Sequence, residues 1–167
     1  MLMDYPLYMV AAVTPAAPFI RDSAEKVWVG LSFRGYSDGD APFGLGGMSR
    51  YESPGWTRYT LKTLDFMPGF VRAFLVDHNG FLWAGMEGGI ARFENERWNP
   101  LHSADGPFRI YSLLQDRHGT VWASGENGVY RYDGNLWKTY NASEGLAPGT
   151  VASLLEDAQG TIWALFT

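Results

Sequence analysis

The sequence predicts an all-β fold built from one four-stranded antiparallel unit that recurs about every 40 residues. The first observation is an aspartate six residues before a tryptophan in four places, and three of these intervals share a glycine, in DHNGFLW, DRHGTVW and DAQGTIW. The fourth interval, DSAEKVW, has Glu25 at that position. The four pairs are Asp22 and Trp28, Asp77 and Trp83, Asp116 and Trp122, and Asp157 and Trp163.

A second half of the unit recurs in its own register. In three units a glycine stands nine residues before a tryptophan, with an arginine and then a tyrosine or phenylalanine at constant spacing between them. The aligned positions are Gly47, Gly89 and Gly128, then Arg50, Arg92 and Arg131, then Tyr51, Phe93 and Tyr132, then Trp56, Trp98 and Trp137. Two halves that recur in a constant order indicate an internal repeat.

The third unit shows how many strands one copy contains. Its apolar runs RIYSLLQD, TVWAS, GVYRYD and LWKTY have the length of strands, and the pairs His118-Gly119, Asn127-Gly128 and Asp133-Gly134 separate them. Such pairs supply the positive φ angles that tight hairpins need. Four antiparallel strands in about 40 residues correspond to one blade of a β-propeller.

The first strand of each unit is apolar on both faces, which is typical of a strand buried on both sides. One face carries Phe74, Leu113 and Leu154, and the opposite face carries Leu75, Leu114 and Leu155. We therefore expect this strand to be the innermost strand of its blade.

The spacing of the units divides the chain into five segments. We predict that residues 1–15 are the outer strand of a preceding or closing blade, 16–67 a blade with an insertion, 68–106 and 107–147 two further blades, and 148–167 the first two strands of another. The insertion has 13 residues, because Trp28 and Gly47 are 19 residues apart whereas the next two units have six at the same place.

The last unit stops inside its second strand, so we expect the chain to be a segment of a larger propeller of about six to eight blades. The alternative is a four-bladed ring closed by the two ends of the chain. As an isolated segment it should expose blade faces and strand edges, and we expect it to self-associate.

Composition excludes several classes of protein. The 13 Lys and Arg residues against 18 Asp and Glu give a net charge of −5, without a basic cluster that could bind nucleic acid or an anionic membrane. The absence of cysteine excludes disulfides and zinc–thiolate sites. The apolar run YPLYMVAAV follows no positive charge and contains Pro6, so a strand is favoured over a signal peptide.

These motifs resemble the two-component regulator propeller repeat of bacterial sensor proteins. The resemblance rests on D-x-x-G-x-x-W, on the glycine-led x-x-R-Y/F-D/E strand and on an aromatic strand that ends in tyrosine, and it begins at Phe19. It departs after the first tryptophan, where the family usually has Gly-Thr and this chain has pairs such as Gly85-Met86 and Leu165-Phe166. Streptogramin-lyase-like propellers resemble it more distantly. The resemblance implies a periplasmic or extracellular sensor module upstream of a membrane span and a kinase or cyclase.

Residues found in every unit are predicted to be structural, because each blade must fold and stack on its neighbours. The inner tryptophans should pack between blades, the aspartates should cap their own turns, and the arginines should pair with turn carboxylates. This structural set is Trp28, Trp83, Trp122, Trp163, Asp77, Asp116, Asp157, Arg50, Arg92 and Arg131.

The insertion after Trp28 is the candidate ligand site, because specificity on a repeating scaffold comes from loops that differ between units. Its candidate ligand-binding residues are Arg34, Tyr36, Asp38, Asp40 and Phe43. Alternating strand directions should place it at the same rim as the linkers TLKTLDFMPGF and NASEGLAPGT. Arg34 and Tyr36 suit a polar or glycan-like ligand. The alternative is a tolerated insertion without function.

The sequence indicates neither catalysis nor a metal or cofactor. Asp38 and Asp40 match only a fragment of a calcium loop. His78, His102 and His118 lack the partners and spacing of a metal site or a catalytic triad. We therefore predict no catalytic residue, no metal and no cofactor.

The predicted function is a non-catalytic ligand-sensing or interaction module of a bacterial signalling protein. Its expected partners are a small-molecule or glycan-like ligand, or a protein, together with the remaining blades of a larger propeller. Two alternatives stay open. A lyase-like propeller enzyme would bring histidine, glutamate and a metal together on one face, and a structural platform would bind proteins only.

Overall fold

The computed structural model describes residues 18–31, 46–59, 64, 69–101 and 109–167. Among these residues it has fourteen strands and one 3-10 helix, Ala142–Glu144. In this part of the chain, no helix has the length and apolar character needed to span a membrane. The strands are β1 Phe19–Arg21, β2 Val27–Leu31, β3 Gly46–Glu52, β4 Gly55–Tyr59, β5 Gly69–Val76, β6 Leu82–Met86, β7 Gly89–Glu94, β8 Arg97–Pro100, β9 Ile110–Gln115, β10 Val121–Gly125, β11 Gly128–Tyr132, β12 Trp137–Tyr140, β13 Val151–Glu156 and β14 Ile162–Phe166.

Consecutive strands pair antiparallel and form three four-stranded blades and one two-stranded sheet. We name them blade 1 (β1–β4), blade 2 (β5–β8), blade 3 (β9–β12) and sheet 4 (β13–β14). A short parallel pairing of Gly46 with Gly69 and Gly47 with Phe70 connects blade 1 to blade 2. The prediction of an all-β propeller segment with four-stranded antiparallel blades is confirmed.

The Asp-x-x-Gly turn between the first two strands folds as its sequence predicts. In blade 2, Oδ1 of Asp77 accepts hydrogen bonds from the backbone amides of Asn79 and Phe81, at 2.9 and 3.0 Å. Gly80 has a φ of 82°, in the left-handed region that favours glycine. In blade 1, Glu25 occupies the corresponding place with a φ of 63°, so the turn keeps its shape without glycine.

The cores lie between blades. Trp28 of blade 1 is fully buried against the rings of Phe93 and Trp98 of blade 2, with ring centroids 4.7 and 5.3 Å away. Aromatic residues bury about 150–250 Å² each and favour such edge-to-face contacts. Blades 1 and 2 therefore each pack their inner tryptophan on the outer strands of the next blade.

Several sequence predictions lie outside the described residues. They include the outer strand at 1–15 and the insertion at 33–45. The boundaries between blades also stay predictions, since most of the connecting residues, 60–63, 65–68 and 102–108, are not described.

Candidate functional site: a cleft at the linker rim of blade 3

A cleft of about 420 Å³ lies where two connections of blade 3 meet. One is the turn from β10 to β11, Glu126-Asn127, and the other is the linker that leaves β12 and leads to sheet 4. Because antiparallel strands alternate in direction, connections of these two kinds emerge at one end of a blade. We call this end the linker rim and the opposite end, which carries the Asp-x-x-Gly turns, the aspartate rim.

The floor of the cleft is formed by close backbone packing. A Cβ atom on Gly128 would lie 2.1 Å from the backbone oxygen of Tyr140, and the φ of Gly128 is 124°. Tyr130 is 2% exposed and lies opposite Thr139 in the β11–β12 pairing. Any side chain at position 128 would push β12 away, so the repeated glycine of this half-unit also shapes the cleft.

The linker wall is fixed by its own hydrogen bonds. Oδ1 of Asn141 accepts from the backbone amide of Ser143 at 2.9 Å and from its hydroxyl at 2.6 Å. The backbone oxygen of Asn141 accepts from the amides of Glu144 and Leu146. Gly145, with a φ of 88°, ends the 3-10 helix. The cleft thus has a preformed wall, as small-molecule sites usually do.

Charges beside the cleft are paired with one another along the linker rim. Nη1 of Arg109 lies 3.0 Å from Oε1 of Glu126, and its Nε lies 3.8 Å from Glu87 of blade 2. Glu87 also binds Arg72 at 2.8 Å. Glu126, followed by Glu87, raises the pKa of Arg109 above its ordinary value. This row of alternating charges continues across the boundary between blades 2 and 3.

Besides Glu126, which is paired with Arg109 at 3.0 Å, the lining offers uncharged polar groups next to small apolar surfaces. Asn127, Thr139 and Asn141 supply amide and hydroxyl groups, and Ala142, Ala147 and Pro148 supply apolar contacts. Amides and hydroxyls donate and accept hydrogen bonds without attracting a particular charge. The arrangement suits a neutral polar ligand such as a glycan or a peptide backbone.

The insertion predicted as the ligand site joins β2 to β3, which is the same connection as Glu126-Asn127 in blade 3. Its ends, Leu31 and Gly46, therefore lie at the linker rim, as the cleft does. Its candidate residues lie outside the described residues, so their role stays a prediction. They are Arg34, Tyr36, Asp38, Asp40 and Phe43.

The cleft residues were not among the sequence candidates. The sequence predicts that the linker NASEGLAPGT lies at the rim, and its Asn141-x-Ser143 turn and Pro148-Gly149 pair are the signals that mark a fixed loop. A single sequence does not show that a shallow cleft forms beneath it.

The repeated arginines make different contacts in the three blades. Arg50 binds Glu96 of blade 2 at 2.5 Å and lies over the Trp28 ring, 5.5 Å from its centroid. Arg92 binds Glu94 at 2.9 Å. Arg131 lies over the Trp122 ring at 5.8 Å. In all three blades the arginine lies over the ring of the inner tryptophan. The carboxylate that pairs with the arginine differs between blades 1 and 2.

The histidines that are described lie at the aspartate rim, away from the cleft. His78 and His118 are exposed in their turns, and the backbone amide of His78 donates to Oε1 of Gln115 at 2.7 Å. His102 lies outside the described residues. Within the described ranges, no group of three or more His, Asp or Glu side chains is placed to hold a metal ion.

Sheets of this kind, stacked through their inner strands, define the chain as part of a β-propeller, and similar solved structures share that fold. One is the extracellular domain of a protein described as a hybrid two component system, BT3049 from B. thetaiotaomicron, with a TM-score of 0.69, 18% identity and coverage of 87% of this chain and 20% of that one. A second is the extracellular domain described as that of a one component system, BT4673 from the same organism, with a TM-score of 0.66, 19% identity and coverage of 90% and 20%.

A third similar structure is virginiamycin B lyase from Staphylococcus aureus, with a TM-score of 0.62, 14% identity and coverage of 92% of this chain and 50% of the lyase. These are the two kinds of propeller that the sequence resembles. The chain spans about a fifth of the two extracellular domains and half of the lyase. Neither protein-family models nor curated protein sequences match it.

Proposed function

We propose that the chain is a recognition part of a non-catalytic β-propeller module in a bacterial signalling protein of the two-component type. The observation that carries this proposal is the linker rim. There the connections differ most between blades, and the rim holds both the preformed cleft of blade 3 and the ends of the blade 1 insertion. Ligand sites on repeating scaffolds are built from such loops.

The similar structures support the signalling context. Two of them are described as extracellular domains of one- and two-component systems. A periplasmic or extracellular location for this chain is part of the proposal. The ligand class is a neutral polar molecule, glycan-like in its density of hydroxyl groups, because the cleft offers amide and hydroxyl groups while its nearby charges are already paired.

The test is a thermal-shift screen of the chain against a panel of neutral oligosaccharides. Because a ligand that binds only the folded state raises the melting temperature, we expect at least one member to raise it. Ala147→Trp, which fills the cleft, should abolish that shift. Ala24→Trp, at an exposed alanine in the aspartate rim of blade 1, is the matched control and should keep it. A shift that survives in Ala147→Trp would contradict the site.

The lyase alternative is favoured by the similarity to virginiamycin B lyase. It predicts that a divalent metal raises the melting temperature of the chain, whereas the sensing proposal predicts no change with Mg²⁺, Mn²⁺ or Zn²⁺. If the oligosaccharide panel and the metals both leave the melting temperature unchanged, the platform that binds only proteins becomes the better hypothesis.

A further inference from the structure

The two asparagines that line the cleft of blade 3 differ in what their side chains can still bind. Oδ1 of Asn141 already accepts two hydrogen bonds from Ser143, one from the backbone amide at 2.9 Å and one from the hydroxyl at 2.6 Å. A carbonyl oxygen has two lone pairs, so both are used here and the side chain can offer a ligand only its Nδ2 donors. In the cleft, Asn141 is therefore a donor.

Asn127 has an uncommitted side-chain amide on the other connection. It is exposed in the turn from β10 to β11, whereas Asn141 begins the linker that forms the opposite wall. Within the described ranges, no residue forms a hydrogen bond with the side chain of Asn127. Its Oδ1 can therefore accept a hydrogen bond from a ligand. The cleft thus has a donor on one wall and an acceptor on the other.

The linker wall also carries a small apolar surface. Ala142, Ala147 and Pro148 line the cleft on the same connection as Asn141, and all three are exposed. Their short side chains present methyl and methylene groups at a wall whose shape is fixed by the 3-10 helix and by Gly145 at its end. A donor, an acceptor and apolar groups are therefore combined within about 420 Å³.

An acetamido group has the complementary set of features. It contains one acceptor, one donor and a methyl group, and in the trans form of the amide the carbonyl oxygen and the N–H point in opposite directions. A single asparagine cannot reach both at once, so recognition needs a donor and an acceptor on different walls. Burial of the methyl group against apolar side chains adds a hydrophobic contribution.

Within the sugar-binding function proposed above, on which this step rests, we propose that the cleft recognises N-acetylated sugars. Nδ2 of Asn141 donates to the acetamido oxygen, Oδ1 of Asn127 accepts from the acetamido N–H, and the apolar groups of the linker cover the methyl group. The cleft is near the lower end of the range of about 300–1,000 Å³ found for small-molecule sites, so it suits a mono- or disaccharide.

An NMR titration of the whole chain with diacetylchitobiose and with cellobiose tests this proposal. The two disaccharides have the same ring and linkage, and they differ in whether an acetamido or a hydroxyl group stands beside the linked carbon of each ring. We expect diacetylchitobiose to bind at least about tenfold more tightly, because a hydroxyl group cannot bond to both walls and has no methyl group to bury.

Equal affinities for the two disaccharides would contradict acetamido recognition and leave the neutral sugar site intact. Binding of neither disaccharide would also overturn this proposal, and the wider oligosaccharide panel then decides the proposed function separately. N-acetylglycinamide carries the acetamido group without a sugar ring. If it bound as tightly as diacetylchitobiose, the sugar part of the proposal would be wrong.

Asn141→Asp and Asn127→Asp are a matched pair of variants, since each exchanges one side-chain amide for a carboxylate and adds the same charge. Asn141→Asp keeps the oxygen that binds Ser143, because aspartate forms the same turn, but it removes the donor. Asn127→Asp keeps its acceptor. We expect the preference for diacetylchitobiose to be lost in Asn141→Asp and retained in Asn127→Asp.

Asn127→Ala completes the set, because it removes the acceptor and should lose the preference. Melting curves of the free proteins check that each variant is folded. A preference that survives Asn141→Asp or Asn127→Ala, or one that is lost in both aspartate variants alike, would contradict the roles assigned to the two asparagines.

Discussion

The indole nitrogen of Trp83 donates a hydrogen bond of 2.8 Å to Oδ2 of Asp77, and both side chains are buried. The same bond recurs from Trp28 to Asp22, from Trp122 to Asp116 and from Trp163 to Asp157, at 2.7 to 2.8 Å. Because the other carboxylate oxygen holds the turn, one aspartate connects the turn geometry to the orientation of the tryptophan. This double role of the aspartate explains why the aspartate and the tryptophan are six residues apart in every unit.

Replacing Asp77 with alanine should destabilise the chain by about 3 kcal/mol, because three donors lose their acceptor and one of them is a buried indole. Urea unfolding measures the change. The matched control is Asp157→Ala, which removes the same set of hydrogen bonds where Trp163 is 60% exposed. Water can replace the carboxylate there, so the control should cost clearly less. Equal costs would show that burial does not set the strength of this motif.

Stability should fall when the pH drops below about 4. Burial by itself raises the pKa of Asp116, but hydrogen bonds from the Trp122 indole and the backbone amides of Thr120 and His118 outweigh it and hold the pKa below its ordinary value. A lowered pKa in the folded state stabilises the fold above the pKa of the unfolded chain. That contribution is lost as the pH falls towards the folded pKa.

Asp116→Asn checks this pH dependence. The variant should be less stable than wild type at neutral pH by about 1 to 2 kcal/mol, because one donor loses a charged acceptor. Its melting temperature should also change less with pH, since one titrating carboxylate is removed. Melting curves recorded across the acid range measure both effects. Parallel pH profiles for wild type and variant would contradict the assignment.

Gly85→Ala should cost about 2 kcal/mol, because the added Cβ would lie 2.4 Å from Cγ2 of Ile110 and force blades 2 and 3 apart. Gly55→Ala is the control, since no heavy atom outside its chain neighbours lies within 4 Å of the added Cβ. Chemical unfolding compares the two variants. If both are neutral, the blades can separate slightly without loss of packing energy.

Deleting residues 33–45 should leave the fold intact and change the free energy of unfolding by no more than about 1 kcal/mol, given the weak length dependence of loop closure. The deletion restores the six-residue spacing between Trp28 and Gly47 that the other units have. A second variant replaces the segment by a Gly/Ser sequence of the same length. Urea unfolding measures stability, and the oligosaccharide panel measures binding.

Both insertion variants should keep the melting transition and lose the oligosaccharide response if the insertion takes part in the site. Unfolding of the deletion variant alone would assign the insertion a structural role. An unchanged response in both would place the site elsewhere on the linker rim, with the cleft of blade 3 as the remaining candidate.

The repeat could be predicted from the sequence because its determinants are local. The Asp-x-x-Gly turn and the tryptophan six residues after its aspartate depend on contacts within about ten residues, so their spacing identifies them. The partners of the arginines could not be predicted in the same way. Arg50 finds Glu96 in the next blade, 46 residues away, while the equivalent turn of blade 3 has Asn135 instead.

The sequence predicts at which end of the blades the site lies, but it does not predict the cleft itself. Strand alternation places the insertion and the linkers at one end of each blade, but the depth of the cleft depends on how Gly128 packs on Tyr140 and how Asn141 fixes the linker. These are contacts between residues that no periodic pattern specifies. The sequence predicts that blade faces are exposed, but which side chains form them is seen only from their burial.

Across the described parts of the chain, each sheet makes its larger contacts with the sheets next to it, as in a one-dimensional array. In such an array, unfolding begins at the ends, where a sheet has one neighbour, and proceeds inward. Amide hydrogen exchange should therefore form a gradient, slowest in β6 and β7 of blade 2 and fastest in β14, whose side chains alternate between exposed and half-buried. Covering the exposed face of sheet 4 that carries Trp163 would give that sheet a second neighbour, so one contact at Trp163 would slow exchange through successive sheets as well as in sheet 4.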